Sequence, residues 1–133
     1  MSVQLGYLDT NIFVHNLYPN DRHYLRCREI IAALESGAAQ GWIDRTVIYE
    51  LTFILARGRR FPDRSALAEY VRSIITMVGV RVEDEVLLIT ALDRWAVHGV
   101  SFADAWLFVQ AMADGQPVCT VNARDFKGVV NTF

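Results

Sequence analysis

Four acids stand in four well-separated stretches: Asp9 in Leu8-Asp-Thr-Asn11, Glu50 in Tyr49-Glu-Leu51, Asp104 in Phe102-Ala-Asp-Ala105, and Asp125 in Thr120-Val-Asn-Ala-Arg-Asp-Phe126. If the fold collects them at one edge, they repel one another strongly until something neutralises them. With no histidine or cysteine among them, such a set of hard oxygen donors suits Mg²⁺ or Mn²⁺ better than zinc. An ion of this kind, held by few carboxylates and several waters, suits phosphoryl substrates, because it can activate a water and hold a phosphate in line for displacement.

Each acid also has a purely structural reading. Asp9 follows the apolar run Leu5 to Leu8, where Asp, Thr and Asn are all common helix caps. Glu50 shares a helical face with Thr46, Val47, Phe53 and Ile54, so it is expected within an apolar stripe, with Arg45 or Arg57 as the ion-pair alternative. Ser101-Phe-Ala-Asp104 has capping-box spacing, and a helix N-terminus also lowers the cost of concentrating negative charge there. Asp125, in a loop, is more often a turn residue than a ligand when taken alone.

The elements that must carry these acids follow from periodicity. Val3 to Leu8 reads as a buried central strand covered on both faces, ending in Asp9 at its carboxyl edge, where open α/β sheets place their sites. Helices are expected over Ile12 to Leu17, His23 to Ser36, Thr46 to Arg57, Pro62 to Met77, from Asp84 as cap to His98, and from Ser101 to Asp114. Core faces are read as Leu25, Ile30, Ile31 and Leu34; Leu67, Tyr70, Val71, Ile74 and Ile75; and Val86, Leu87, Ile89, Leu92 and Trp95. Short strands are expected at Gly41 to Ile43, Gly79 to Val82, Pro117 to Val121 and Val129 to Thr132. Short strands alternating with helices imply a parallel sheet between helical layers, a three-layer α/β/α architecture.

The 133 residues fit a single domain, 1–133, and the 53% hydrophobic content argues for a compact core. No linker, repeat, signal-like start or apolar run long enough to cross a bilayer is evident, so a cytoplasmic protein without membrane attachment is expected. Cys27, expected in a helix, and Cys119, expected in a buried strand, read as reduced structural thiols. A net charge of −2 supplies no overall attraction to nucleic acid. Twelve arginines against one lysine, with Arg57, Arg59 and Arg60 around Gly58, allow a local basic surface suited to phosphates or to surface ion pairs. His15 and His98 read as ordinary structural histidines.

The succession Leu-Asp-Thr-Asn, Tyr-Glu-Leu, Phe-Ala-Asp-Ala and Thr-Val-Asn-Ala-Arg-Asp-Phe resembles a PIN-domain protein over essentially the whole chain. Its size most resembles the VapC-type toxins of bacterial toxin–antitoxin pairs. The resemblance implies a Mg²⁺- or Mn²⁺-dependent endoribonuclease with sheet order 3-2-1-4-5, an RNA substrate, a cognate antitoxin seated in the active-site groove, and a homodimer. Carried over by position, it makes Asp9, Glu50, Asp104 and Asp125 the acidic quartet, with Asp9, Asp104 and Asp125 on the metal and Glu50 orienting or deprotonating water. Asn11, Thr120 and Asn122 match supporting polar positions. Some members carry the last acid where Asn122 stands, which leaves Asp125 either a ligand or a supporting group.

Arg57, Arg59, Arg60 and Arg124 are candidates for holding substrate phosphates, Arg124 first because it adjoins Asp125. A haloacid-dehalogenase-type phosphatase requires a second Asp where Asn11 stands, and a receiver domain requires a late lysine after a strand, a place Lys127 does not take. The remaining alternative is a PIN-like fold that acts only as a binding or scaffolding module.

Overall fold

A computed structural model describes residues 1–131 of the chain. The chain divides into two compact units, Met1–Glu83 and Asp84–Phe133. The first contains β1 (Val3–Tyr7), α1 (Thr10–His15), α2 (Tyr24–Ser36), β2 (Ala39–Ile43), α3 (Arg45–Arg57), α4 (Arg64–Ile75) and β3 (Val80–Val82). The second contains α5 (Glu85–Val97), α6 (Phe102–Asp114) and a 3₁₀ turn, Ala123–Phe126.

The sheet of the first unit is parallel throughout, with β2 between β1 and β3, so the 3-2-1 portion of the expected order is present. Parallel neighbours need long connections, and here α1 with α2 joins the first pair while α3 with α4 joins the second. Helix α1 packs against α2 and α3, α2 against β2, and α4 against α3 and β3. The buried stripe of α4, Leu67, Ala68, Val71, Ile74 and Ile75, recurs at helical spacing as expected, with Tyr70 half-buried at its margin.

Several expectations need correction. Strand β1 is exposed along its length, with Val3 at 62% and Tyr7 at 77%, because its described ladder runs to β2 alone. Leu5 is the extra residue of a bulge: Gln4 pairs with Gln40 and Gly6 with Gly41, and Gly6 takes φ +78, a conformation that favours glycine. The expected strands at Pro117 to Val121 and Val129 to Thr132 reduce to one parallel bridge, Val118 to Val130. Thr132 lies outside the described residues.

Leu25 and Val86, expected inside, are 74% and 76% exposed, since the buried stripes of their helices are Cys27, Ile31 and Leu34, and Leu88, Ala91, Leu92 and Trp95. Pro62 precedes α4 instead of opening it, because Asp63 takes the cap and accepts from the Ala66 N–H at 2.9 Å. Asp84 stands at the cap of α5 but makes no side-chain cap bond; its φ of +55 departs from the extended backbone that aims a cap side chain. Cys119 is exposed, following the loss of its strand, while Cys27 is buried and burial pushes its thiol pKa up. Among the described residues no helix is long and apolar enough to cross a membrane.

Candidate functional site

Asp9 lies where β1 gives way to α1. Leu8, buried ahead of it, donates its N–H to the Trp42 carbonyl at 2.8 Å, and its side chain fills the space over Gly41. A Cβ at residue 41 would approach Leu8 carbons to 2.7 Å, so the glycine allows the close packing that places the next residue. Beyond the junction, Phe13 is fully buried and its carbonyl accepts from Tyr70 Oη at 2.6 Å. Asn16 Nδ2 donates to Tyr70 Oη at 3.3 Å, and Arg28 Nη1 donates to Asn16 Oδ1 at 2.8 Å. Strand packing and this chain of bonds therefore hold the backbone on both sides of Asp9.

Asp9 is the N-cap residue of α1, yet its carboxylate makes no cap bond. It accepts instead from Asn11 Nδ2 at a long 3.4 Å. Asp44 occupies the corresponding junction between β2 and α3, and its Oδ2 accepts from Thr46 N–H at 2.9 Å and from Thr46 Oγ1 at 2.5 Å. Those bonds hold the Asp44 carboxyl below its ordinary pKa. One aspartate is engaged in capping while the other remains exposed and available. Thr10, beside Asp9, is 3% exposed, and its Oγ1 has no hydrogen-bond partner among the described residues.

Glu50 is exposed, contrary to its expected place in the buried stripe. Helix α3 carries two apolar faces. Val47, Ile48, Leu51, Thr52 and Leu55 form the buried one, and Glu50, Phe53, Ile54 and Arg57 share the exposed one. Periodicity finds both faces and does not say which packs inward. Glu50 makes no ion pair with Arg45 or Arg57 among the described residues.

In the second unit α5 packs on α6, and Ala111, Val118, Phe126 and Val129 form a core against which Phe108 and Val130 pack. Asp104 is in the first turn of α6, half-buried. Its backbone N–H donates to the Ser101 side chain at 3.1 Å, which supplies half of the expected capping box. The donor is the backbone, so the cap does not employ the Asp104 carboxylate.

Asp125 sits in the 3₁₀ turn, with only 15% of its side chain exposed. Its Oδ2 accepts from Asn122 Nδ2 at 2.7 Å, and its Oδ1 lies 3.5 Å from Arg124 Nε. Thr120 Oγ1 accepts from the Asn122 N–H at 2.9 Å. Asn122 and Asp125 thus belong to one bonded group, with Thr120 shaping the turn. Arg94, which the sequence reading passed over, donates from Nη2 to the Asp125 carbonyl at 3.3 Å while its guanidinium lies 3.3 Å from the centroid of Phe108. Burial lowers its pKa. The available signal was an arginine one position before the buried Trp95 of a largely apolar helix.

Arg94, His98, Arg124 and Asp125 line a shallow cleft in this unit. Arg57, Arg59 and Arg60 are exposed at the end of α3 and in the following loop. His15, assigned no role, pairs through Nδ1 with Asp21 Oδ2 at 2.7 Å.

Asp9 and Glu50 belong to the first unit, Asp104 and Asp125 to the second. Among the described residues, no three His, Cys, Asp or Glu side chains approach closely enough to hold one ion. The donor chemistry nevertheless fits Mg²⁺ or Mn²⁺, since each acid offers hard oxygens and Mg²⁺ commonly takes only one or two carboxylates, with waters completing its shell. Among curated proteins the comparison finds no match. The family model described as PIN domain matches residues 6–130, a span containing all four acids. PIN domains are typically metal-dependent nucleases. With that match over nearly its whole length, the chain belongs to the PIN-domain family.

Proposed function

We propose that this protein is a Mg²⁺- or Mn²⁺-dependent endoribonuclease and the toxin member of a VapBC-type pair. The match across residues 6–130 carries the reading, because it spans every acid the chemistry needs. The free cap position of Asp9 supports it, since a carboxylate at a sheet-to-helix junction that makes no cap bond remains available to a ligand. A bound divalent ion would supply positive charge to the carboxylates and acidify a water. Asp9 and Asp104 would hold it directly, and Asp125 directly or through water, with Asn11 and Asn122 restraining the two outer acids.

Glu50, exposed on α3, orients the attacking water or takes its proton. Attack on the phosphorus leaves RNA with a free 3′-hydroxyl. Arg124, Arg57, Arg59 and Arg60 hold flanking phosphates. A cognate antitoxin, a homodimeric state and a cytoplasmic location complete the proposal.

The test is cleavage of RNA by the purified, partner-free protein. Cleavage should proceed with Mn²⁺ or Mg²⁺, stop in EDTA, and disappear in Asp9→Asn. Undiminished cutting in EDTA, or none with either ion by a folded protein, overturns it.

A further inference from the structure

The exposed face of α3 carries an unusual pair. Phe53 is 62% exposed, and the Arg57 guanidinium stacks over its ring at 4.7 Å from the centroid. Ile54 beside them is 44% exposed. Arg59 and Arg60 continue the positive charge into the loop, where Asp63 is spent on the cap of α4. A large apolar ring left in water, joined to a planar cation and followed by further cations, matches neither core packing nor a surface ion pair.

We propose that this face is a stacking platform for an unpaired base of single-stranded RNA, with Phe53 and the Arg57 plane receiving the base and Arg59 and Arg60 receiving the adjoining phosphates. Aromatic rings and guanidinium planes stack bases in this way, and phosphates complement the arginines. Charge separates this occupant from an apolar protein face, which would leave the cations without counter-charge. The platform rests on the nuclease reading for its biological use. Glu50 lies on the same helix face, seven residues and therefore about 10 Å of axial rise before Arg57. A strand stacked on Phe53 would run along α3 past the residue assigned to the attacking water.

The test is fluorescence anisotropy of the full-length protein in EDTA, where nothing is cut, with a labelled unstructured RNA 12-mer and its abasic counterpart. Phe53→Ala should weaken binding about 5- to 150-fold, the range for losing one stacked base. Phe53→Trp should restore it, and only Phe53→Ala should bind the two RNAs equally. Arg59→Ala should reduce the slope of log affinity against log salt by about 0.7, the loss of one phosphate contact. Circular dichroism should show Phe53→Ala folded, as an exposed ring allows.

Unchanged RNA affinity in Phe53→Ala overturns the platform. So does a wild-type dimer that Phe53→Ala converts to monomer with RNA affinity intact, which would make the face a contact between copies. Binding through Phe53 without cleavage in Mn²⁺ would remove the nuclease reading and keep the platform. Cleavage with normal RNA binding by Phe53→Ala would do the reverse.

Discussion

At the start of α6, the Ser101 hydroxyl accepts from the backbone N–H of Asp104, a bond that any residue but proline at position 104 can donate. Capping and chemistry are therefore separable. Ser101→Ala should cost about 1 kcal/mol, the usual loss of an N-cap bond, and keep its cleavage activity. Asp104→Asn should show the opposite pattern, with thermal stability in EDTA retained and cleavage abolished. Calorimetry beside a gel assay checks both, and an active Asp104→Asn would remove this acid from the site.

Asp21 gives a second prediction at this scale. The His23 backbone N–H, and then the His15 side chain, hold its carboxyl below the ordinary value of 3.8. A carboxyl depressed in the folded state contributes stability that is complete above the unfolded pKa and is lost as pH falls through the folded one. Asp21→Asn should accordingly lower Tm above about pH 5 and converge with the wild type in stronger acid. A difference that persists unchanged to pH 2 would contradict it. At the residue scale the four acids were legible because their types and local motifs are written in the chain. Their surroundings were not: the Asn122 bond to Asp125 and the Arg94 bond to its carbonyl depend on how a loop closes.

Helix α1 is only six residues long, too short to persist without packing, and Tyr70 of α4 supplies an anchor by donating to the Phe13 carbonyl. Burial raises the Tyr70 pKa, consistent with a phenol that stays protonated as a donor. Tyr70→Phe should destabilise the fold by about 1 kcal/mol, the net worth of such a bond, measured by urea unfolding. Hydrogen exchange should show the loss of protection concentrated in α1. A uniform change across α2 and α3 would mean that the bond does not hold this helix.

Element positions were read well wherever a stop signal or cap coincided with periodicity, as at Gly37 after α2 and Ser101 before α6. They were read poorly where apolar residues marked two faces at once. Phe53 and Ile54 look like core beside Val47 in a helical projection, and only tertiary packing shows that Leu51 and Leu55 take their place. Thr52 misleads in the opposite direction. It is buried because its hydroxyl bonds to the Ile48 and Tyr49 carbonyls, which satisfies it without an outside partner.

For the whole molecule, the parallel class of the sheet was legible from alternating strands and helices, and the 3-2-1 portion of its order came with the family resemblance. Strand length was not, because Pro117 to Val121 has β-compatible residues while a single bridge at Val118 is what forms. Likewise, the apolar run of β1 suggested burial on both faces, whereas the strand lies at the end of the described sheet. An end strand with exposed Val3, Leu5 and Tyr7 is a template on which another chain can add its own backbone. Gly6 is the safeguard. Its bulge interrupts the row of donors and acceptors and bends the strand, one of the devices by which natural edges resist cross-chain pairing. A variant that deletes Leu5 and replaces Gly6 with Val, removing the bulge, should develop turbidity and thioflavin fluorescence on concentrated storage that the wild type lacks. The kink before the first acid would then guard the protein against fibrous growth at high concentration.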